Sequence, residues 1–126
     1  MRVNLAIFVL GLLVVPAAAQ AQDMRLDTFL QKAERLERRG ALALFSSDLG
    51  LLKEEVQASA RIYRQRIGAD HDAGRAPHSC PPEEGSASLN SNDILEHFRS
   101  YPASRRQSVT VRTAFFDMMA RRYPCD

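Results

Sequence analysis

The sequence has 126 residues, of which 45% are apolar and 25% are charged, and its formal net charge is +2. This length predicts one domain, and the near balance of acidic and basic residues argues against the strongly basic surface that nucleic-acid binding requires. The sequence contains no internal repeat and no alternation of apolar and polar residues, so strand-based and repeat architectures are not favoured.

The N-terminus is typical of a secretory signal peptide over residues 1–21. Arg2 supplies the positive charge, an apolar run extends from Leu5 to Val15, and small residues offer two cleavage points, after Ala19 or after Ala21. We favour the second point. The apolar run is too short to remain as a membrane-spanning helix. We therefore expect a periplasmic protein with no membrane contact once the signal is cleaved.

Residues 22–126 are predicted to form one all-α domain, a small bundle of about four helices arranged as two antiparallel hairpins. The first helix is expected from about Asp23 to Arg39, with Gly40 as its stop. A short turn of helix should end near Phe45, and Ser46 or Ser47 should cap the second helix. The second helix is expected to bury one stripe and expose the opposite face. The predicted stripe is Leu49, Leu52, Val56, Ser59, Ala60, Tyr63 and Ile67, and the predicted charged face is Lys53, Glu54, Glu55, Arg61 and Arg64.

Residues 68–90 are rich in glycine and proline and have no periodic apolar pattern, which predicts a long loop. Loops of this length in small domains are often functional. Beyond it, a third helix is expected to open near Asp93 and to end at Pro102, since a residue preceding proline is pushed out of helical geometry. A last helix is predicted from Ala103 or Ser104 to Tyr123, stopped by Pro124.

The two cysteines, Cys80 and Cys125, enclose the last third of the chain. In an exported protein two lone cysteines are expected to form one disulfide. That bond closes a loop of about 46 residues, and the chain-entropy relation gives roughly 4 kcal/mol of stabilisation for a loop of this size.

The residues that carry chemistry elsewhere do not assemble into a recognisable site here. His71 and His78 lie in the predicted loop without metal-ligand spacing, and His97 is expected to be solvated. Ser46 and Ser47 lack the glycine pattern of a nucleophile elbow and suit helix capping instead. We therefore expect a protein that is not an enzyme and binds no cofactor or metal.

The C-terminal stretch resembles the Rap/Tai family of small periplasmic immunity proteins, which neutralise peptidoglycan amidases delivered by type VI secretion. The similarity lies in Cys-Pro-Pro at residues 80–82, a helix broken at Tyr101-Pro102, an arginine soon after, and Tyr-Pro-Cys at residues 123–125. It covers just under half of the mature chain. Residues 83–93 depart from the family's usual start of the penultimate helix, and residues 23–67 are not aligned by it.

The resemblance implies a helical body, often dimeric, that presents a loop to the amidase and occludes its active site. On that basis the expected partner is a cognate amidase, and a homodimer is one assembly the resemblance allows. The loop over residues 68–90 is the candidate for this contact. Its candidate contact residues are Arg75, His78, Glu83, Glu84 and Ser86. Two alternatives stay open, a small acid-activated periplasmic stress chaperone and a structural envelope protein.

Overall fold

The computed structural model describes residues 24–83 and 89–126. The predicted signal peptide, residues 1–21, lies outside the described residues. Within them the chain forms five α-helices and one 3₁₀ helix, and the only β pairing is an isolated bridge between Arg25 and Thr110. The helices are α1 (Leu26–Arg39), α2 (Ser47–Asp72), α3 (Ser91–Arg99), α4 (Ala103–Arg106) and α5 (Val111–Arg122), and the 3₁₀ helix is Gly40–Phe45. The predicted all-α bundle is confirmed.

Helix α1 begins later than predicted, at Leu26 rather than near Asp23. The reason is a pairing with a distant segment. The carbonyl of Met24 accepts the backbone N–H of Val111, and the N–H of Leu26 donates to the carbonyl of Val109, each at 2.9 Å. From Leu26 onward apolar residues recur at helical spacing, and α1 buries five of them. They are Leu26, Phe29, Leu30, Ala33 and Leu36.

Helix α2 is the longest element, and Ser46 caps its start by accepting the N–H of Asp48. The predicted loop start at Gly68 is wrong, because α2 continues through Gly68 to Asp72. The helix ends where Gly74 adopts a left-handed φ of 65°, a conformation that glycine adopts without steric cost. The placement of Glu55 on the charged face is also wrong. Its side chain is fully buried and one carboxylate oxygen accepts the N–H of Met24.

The C-terminal part contains three helices where two were predicted, because the predicted last helix is divided into α4 and α5. A capping box at Asn90 opens α3, and α4 is a single turn after Pro102. The chain then leaves helical geometry because Val109 is buried and its carbonyl is used by α1. Thr110 restarts the helix by accepting the N–H of Thr113, so that α5 begins at Val111.

The two expected helix pairs are present, since α1 packs on α2 and α3 packs on α5. The closest packing joins α2 to α5, and this places Tyr63 among α5 aromatics in the core. Phe29 and Phe98 meet edge to face with ring centroids 5.3 Å apart, which fixes α3 against α1. Cys80 and Cys125 form the predicted disulfide, with α-carbons 5.0 Å apart.

Candidate partner-binding surfaces

The first candidate surface is the described part of the predicted loop, residues 73–83, which we call the clasped loop. Arg75 lies at its start and is exposed. Its guanidinium pairs with the carboxylate of Asp70 at 3.0 Å, and its backbone N–H donates to the Asp70 carbonyl. Glu83 is exposed at the other end. Glu84 and Ser86 lie outside the described residues.

His78 turns inward from this loop and lies half-buried against α2 and α5. Its Nδ1 atom is 3.0 Å from the hydroxyl of Tyr63, and the same hydroxyl contacts the Oγ atom of Ser79. Tyr63 and Ser79 are each only 1% exposed. Burial raises the pKa of Tyr63, opposed by its hydrogen bond to Ser79. Because Tyr63 and Ser79 are almost completely buried, these hydrogen bonds fasten the loop to α2.

A second attachment follows directly. The backbone N–H of Cys80 donates to the carbonyl of Tyr123 at 2.8 Å, next to the disulfide that joins Cys80 to Cys125. The clasped loop is therefore tied to α2 through Tyr63 and to the end of α5 through a covalent bond. Its shape is fixed before any partner arrives, which lowers the ordering cost of binding.

The second candidate surface was not predicted, and we call it the apolar tip. It consists of Leu42, Leu44 and Phe45 on the 3₁₀ helix, whose side chains are 69%, 74% and 88% exposed. In a 3₁₀ helix residues three apart lie above one another, so Leu42 and Phe45 share one side. Only Ala43 of the same run packs against the core. Three exposed large apolar side chains within four residues are unusual in a domain this small.

Basic side chains stand beside the apolar tip. Arg38 and Arg39 are the exposed last two residues of α1, immediately before the 3₁₀ helix. The nearest acidic group after the tip, Asp48, is already bound to Lys32 at 2.7 Å, and that hydrogen bond lowers its pKa. The tip is therefore an apolar surface with a cationic edge.

A third feature is an apolar groove between α1, α2 and the start of α3, with a volume of about 380 Å³. Its floor is formed by buried residues of α1 and α2, and its walls by half-buried residues of α2 and α3. The apolar lining is Phe29, Ala33, Leu36, Leu49, Leu52, Val56, Leu89, Ile94 and Leu95. Its charged lining residues are Glu37 and Lys53.

A further polar cluster joins the segment that follows α3 to α5. The hydroxyl of Tyr101 donates to the carboxylate of Asp117, and burial together with this bond raises the pKa of Tyr101 to about 12. The expectation of a solvated His97 is wrong. Its ring is half-buried against Tyr101, and burial lowers its pKa, with the positive charge of Arg121 acting in the same direction.

Within residues 24–83 and 89–126 no three His, Cys, Asp or Glu side chains are grouped so as to hold a metal ion. None of the helices in that part of the chain is long and apolar enough to cross a membrane. Comparison with known protein families, with characterised proteins and with solved structures found no match.

Proposed function

We propose that this chain is an exported, non-enzymatic binding protein that neutralises a secreted peptidoglycan amidase by covering its substrate cleft. The observation that carries the binding role is the apolar tip, with Phe45 88% exposed at its end. The disulfide between Cys80 and Cys125 supports export, because such bonds persist in oxidising compartments.

The apolar tip favours a protein partner on energetic grounds. Fully burying a leucine or phenylalanine side chain stabilises a protein by about 1.5–3 kcal/mol. The tip residues are mostly exposed, so they contribute little of this free energy to the folding of the chain itself. In protein interfaces such anchors lie at the centre and charged groups lie at the rim, and in this chain Arg38 and Arg39 directly precede the tip. The tip alone is smaller than one side of a standard interface, which buries roughly 800 Å², so a second surface must contribute.

The second surface lies about 24 Å along α2 from the tip, since 16 residues separate Ser47 beside the tip from Tyr63, and one partner must span that distance to reach it. This surface is the clasped loop, which the resemblance assigns to the contact. It is fixed by the disulfide and by Tyr63, and Arg75 and Glu83 remain exposed on it. A rigid loop suits occlusion, since the inhibitor needs only to exclude substrate and performs no chemistry. The choice of an amidase as target comes from the resemblance of residues 80–125 to the Rap/Tai family. A homodimer would add contact area without changing this mechanism.

The test is inhibition of a purified secreted amidase, taken first from the reading frame next to this chain's own. Phe45→Ala is expected to weaken inhibition by roughly 30-fold or more, the effect of losing a hot-spot residue worth about 2 kcal/mol. Stability should change by less than about 0.5 kcal/mol, because the side chain is exposed. Leu51→Ala is the matched control, since Leu51 is a partly exposed apolar residue of α2 outside the tip.

The loop is tested separately by replacing Arg75 with serine and residues 83–88 with a Gly-Ser linker of equal length, which removes both exposed charges of the clasped loop and leaves the anchors at His78, Ser79 and Cys80 in place. Loss of inhibition with binding retained supports occlusion by the loop. Unchanged inhibition would show that the loop is not the contact. Inhibition unaffected by both changes would refute the proposed surface as a whole.

A further inference from the structure

The apolar groove between α1, α2 and α3 plays no part in the function proposed above. Its floor is complete, because Phe29, Ala33 and Leu52 are each at least nine-tenths buried and close it from below. Its volume of about 380 Å³ falls in the range of small-molecule sites, roughly 300–1,000 Å³. The groove is therefore large enough to hold a ligand and has almost no polar group on its floor.

Its length can be judged from the helices. The apolar lining on α1 extends from Phe29 to Leu36, and the apolar lining on α2 from Leu49 to Val56. Each interval covers two helical turns, or about 10 Å at 1.5 Å per residue. An apolar trough that is two turns long and bordered by three helices suits a narrow, flexible aliphatic chain.

The charges at the mouth distinguish between ligands of opposite sign. Glu37 is neutralised, because its carboxylate is paired with the guanidinium of Arg99 at 2.7 Å. Lys53 is exposed, lines the same groove, and has no ion pair among the described residues. The mouth thus offers one available ammonium group beside an apolar floor, which complements an anionic head on an apolar chain.

We propose that this groove binds a single-chain anionic amphiphile of the fatty-acid class, with the alkyl chain on the floor and the carboxylate at Lys53. The other residues at the mouth, Gln57, Asn90 and Ser91, are polar and uncharged, so they can solvate the carboxylate without repelling it.

The experiment is calorimetric titration of the full mature protein with hexanoate, octanoate and decanoate, each below the concentration at which it forms micelles. Affinity should rise roughly fourfold with each added methylene, the increment expected for burying one CH₂ group, until the groove is filled. Decyltrimethylammonium, with the same chain and the opposite charge, should bind more weakly than decanoate.

Two substitutions test the two parts of the site. Lys53→Glu should weaken decanoate binding by roughly tenfold and strengthen binding of the ammonium compound. Arg61→Glu is the matched control on α2, since Arg61 does not line the groove, and should have little effect. Val56→Trp should fill the groove and abolish binding of both compounds, with circular dichroism confirming that the variant folds.

Absence of binding, an affinity independent of chain length, or equal binding of both head groups would overturn the proposal. The chain-length series and Lys53→Glu do not disturb the core. They therefore test the proposed binding site even if Val56→Trp fails to fold.

Discussion

Replacing both cysteines with serine should cost the protein a large share of its stability. The disulfide joins residues separated by 45 positions, and the loop-closure relation gives about 4 kcal/mol for a ring of that size. Both Cys80 and Cys125 are exposed, so the substitution opens no cavity in the core. The expected loss therefore comes almost entirely from the greater freedom of the unfolded chain. The free energy of unfolding of a domain of this length is roughly 5–15 kcal/mol in total.

The assay is urea unfolding followed by circular dichroism. With a slope of about 2 kcal/mol per molar, the midpoint should fall by roughly 2 M in the double serine variant. Ser104→Ala, a substitution at an exposed residue away from the two cysteines, controls for the handling of variants and should leave the midpoint unchanged. A loss below about 1 kcal/mol, with thiol counting showing that the wild type is fully oxidised, would refute the reasoning.

Three further predictions concern other parts of the chain. Asn90→Ala removes the side chain that accepts the N–H groups of Asn92 and Asp93, and should lower the free energy of unfolding by about 1 kcal/mol, whereas Asn92→Ala should not. The raised pKa of Tyr101 means that the folded state favours the protonated hydroxyl. The contribution of the protonated Tyr101 to the free energy of unfolding is fully present below pH 10, and it is lost as the pH rises toward about 12. Burial also raises the pKa of Tyr63, so tyrosinate absorbance should show late components from two tyrosines, and Tyr101→Phe should reduce their combined amplitude by one tyrosine. An unchanged late amplitude in that variant would contradict the assignment. Dye binding followed from pH 7 to pH 2 should show no step near pH 3; a step there would favour the acid-activated chaperone over the inhibitor.

Several features of the fold follow from local sequence signals. The stripe of α1 from Leu26 to Leu36 has helical period, and Gly40 ends that helix where expected. Ser46 and Asn90 act as caps because their short polar side chains can reach free N–H groups. The pairing within the disulfide was predictable because a chain with only two cysteines offers a single pairing.

Other features depend on tertiary contacts that no local pattern contains. Glu55 lies in a polar run, yet it is buried because the distant backbone N–H of Met24 needs an acceptor there. The break between α4 and α5 arises because Val109 pairs with α1, although the surrounding sequence is compatible with a continuous helix. His78 faces inward because Tyr63, 15 residues earlier, offers a hydroxyl within the core.

The exposure of the apolar tip also could not be predicted from the local sequence pattern. The run from Ala41 to Phe45 has apolar composition typical of core, and we expected a turn of helix there without predicting which side it would expose. A six-residue 3₁₀ helix between two long helices can turn only part of that run inward. Ala43 takes the inward position, and Leu42, Leu44 and Phe45 are left in water. The absence of any polar residue between Gly40 and Ser46 was the available signal.

Hydrogen exchange of the protein, alone and mixed with the proposed amidase partner, tests the central claim most directly. The account predicts that complex formation slows exchange in two segments, the 3₁₀ helix Gly40–Phe45 and the clasped loop at residues 73–83, and leaves the exposed face of α2 around Arg61 unchanged. Slowed exchange at other surfaces with both segments unaffected, or no change with saturating amidase, would contradict it.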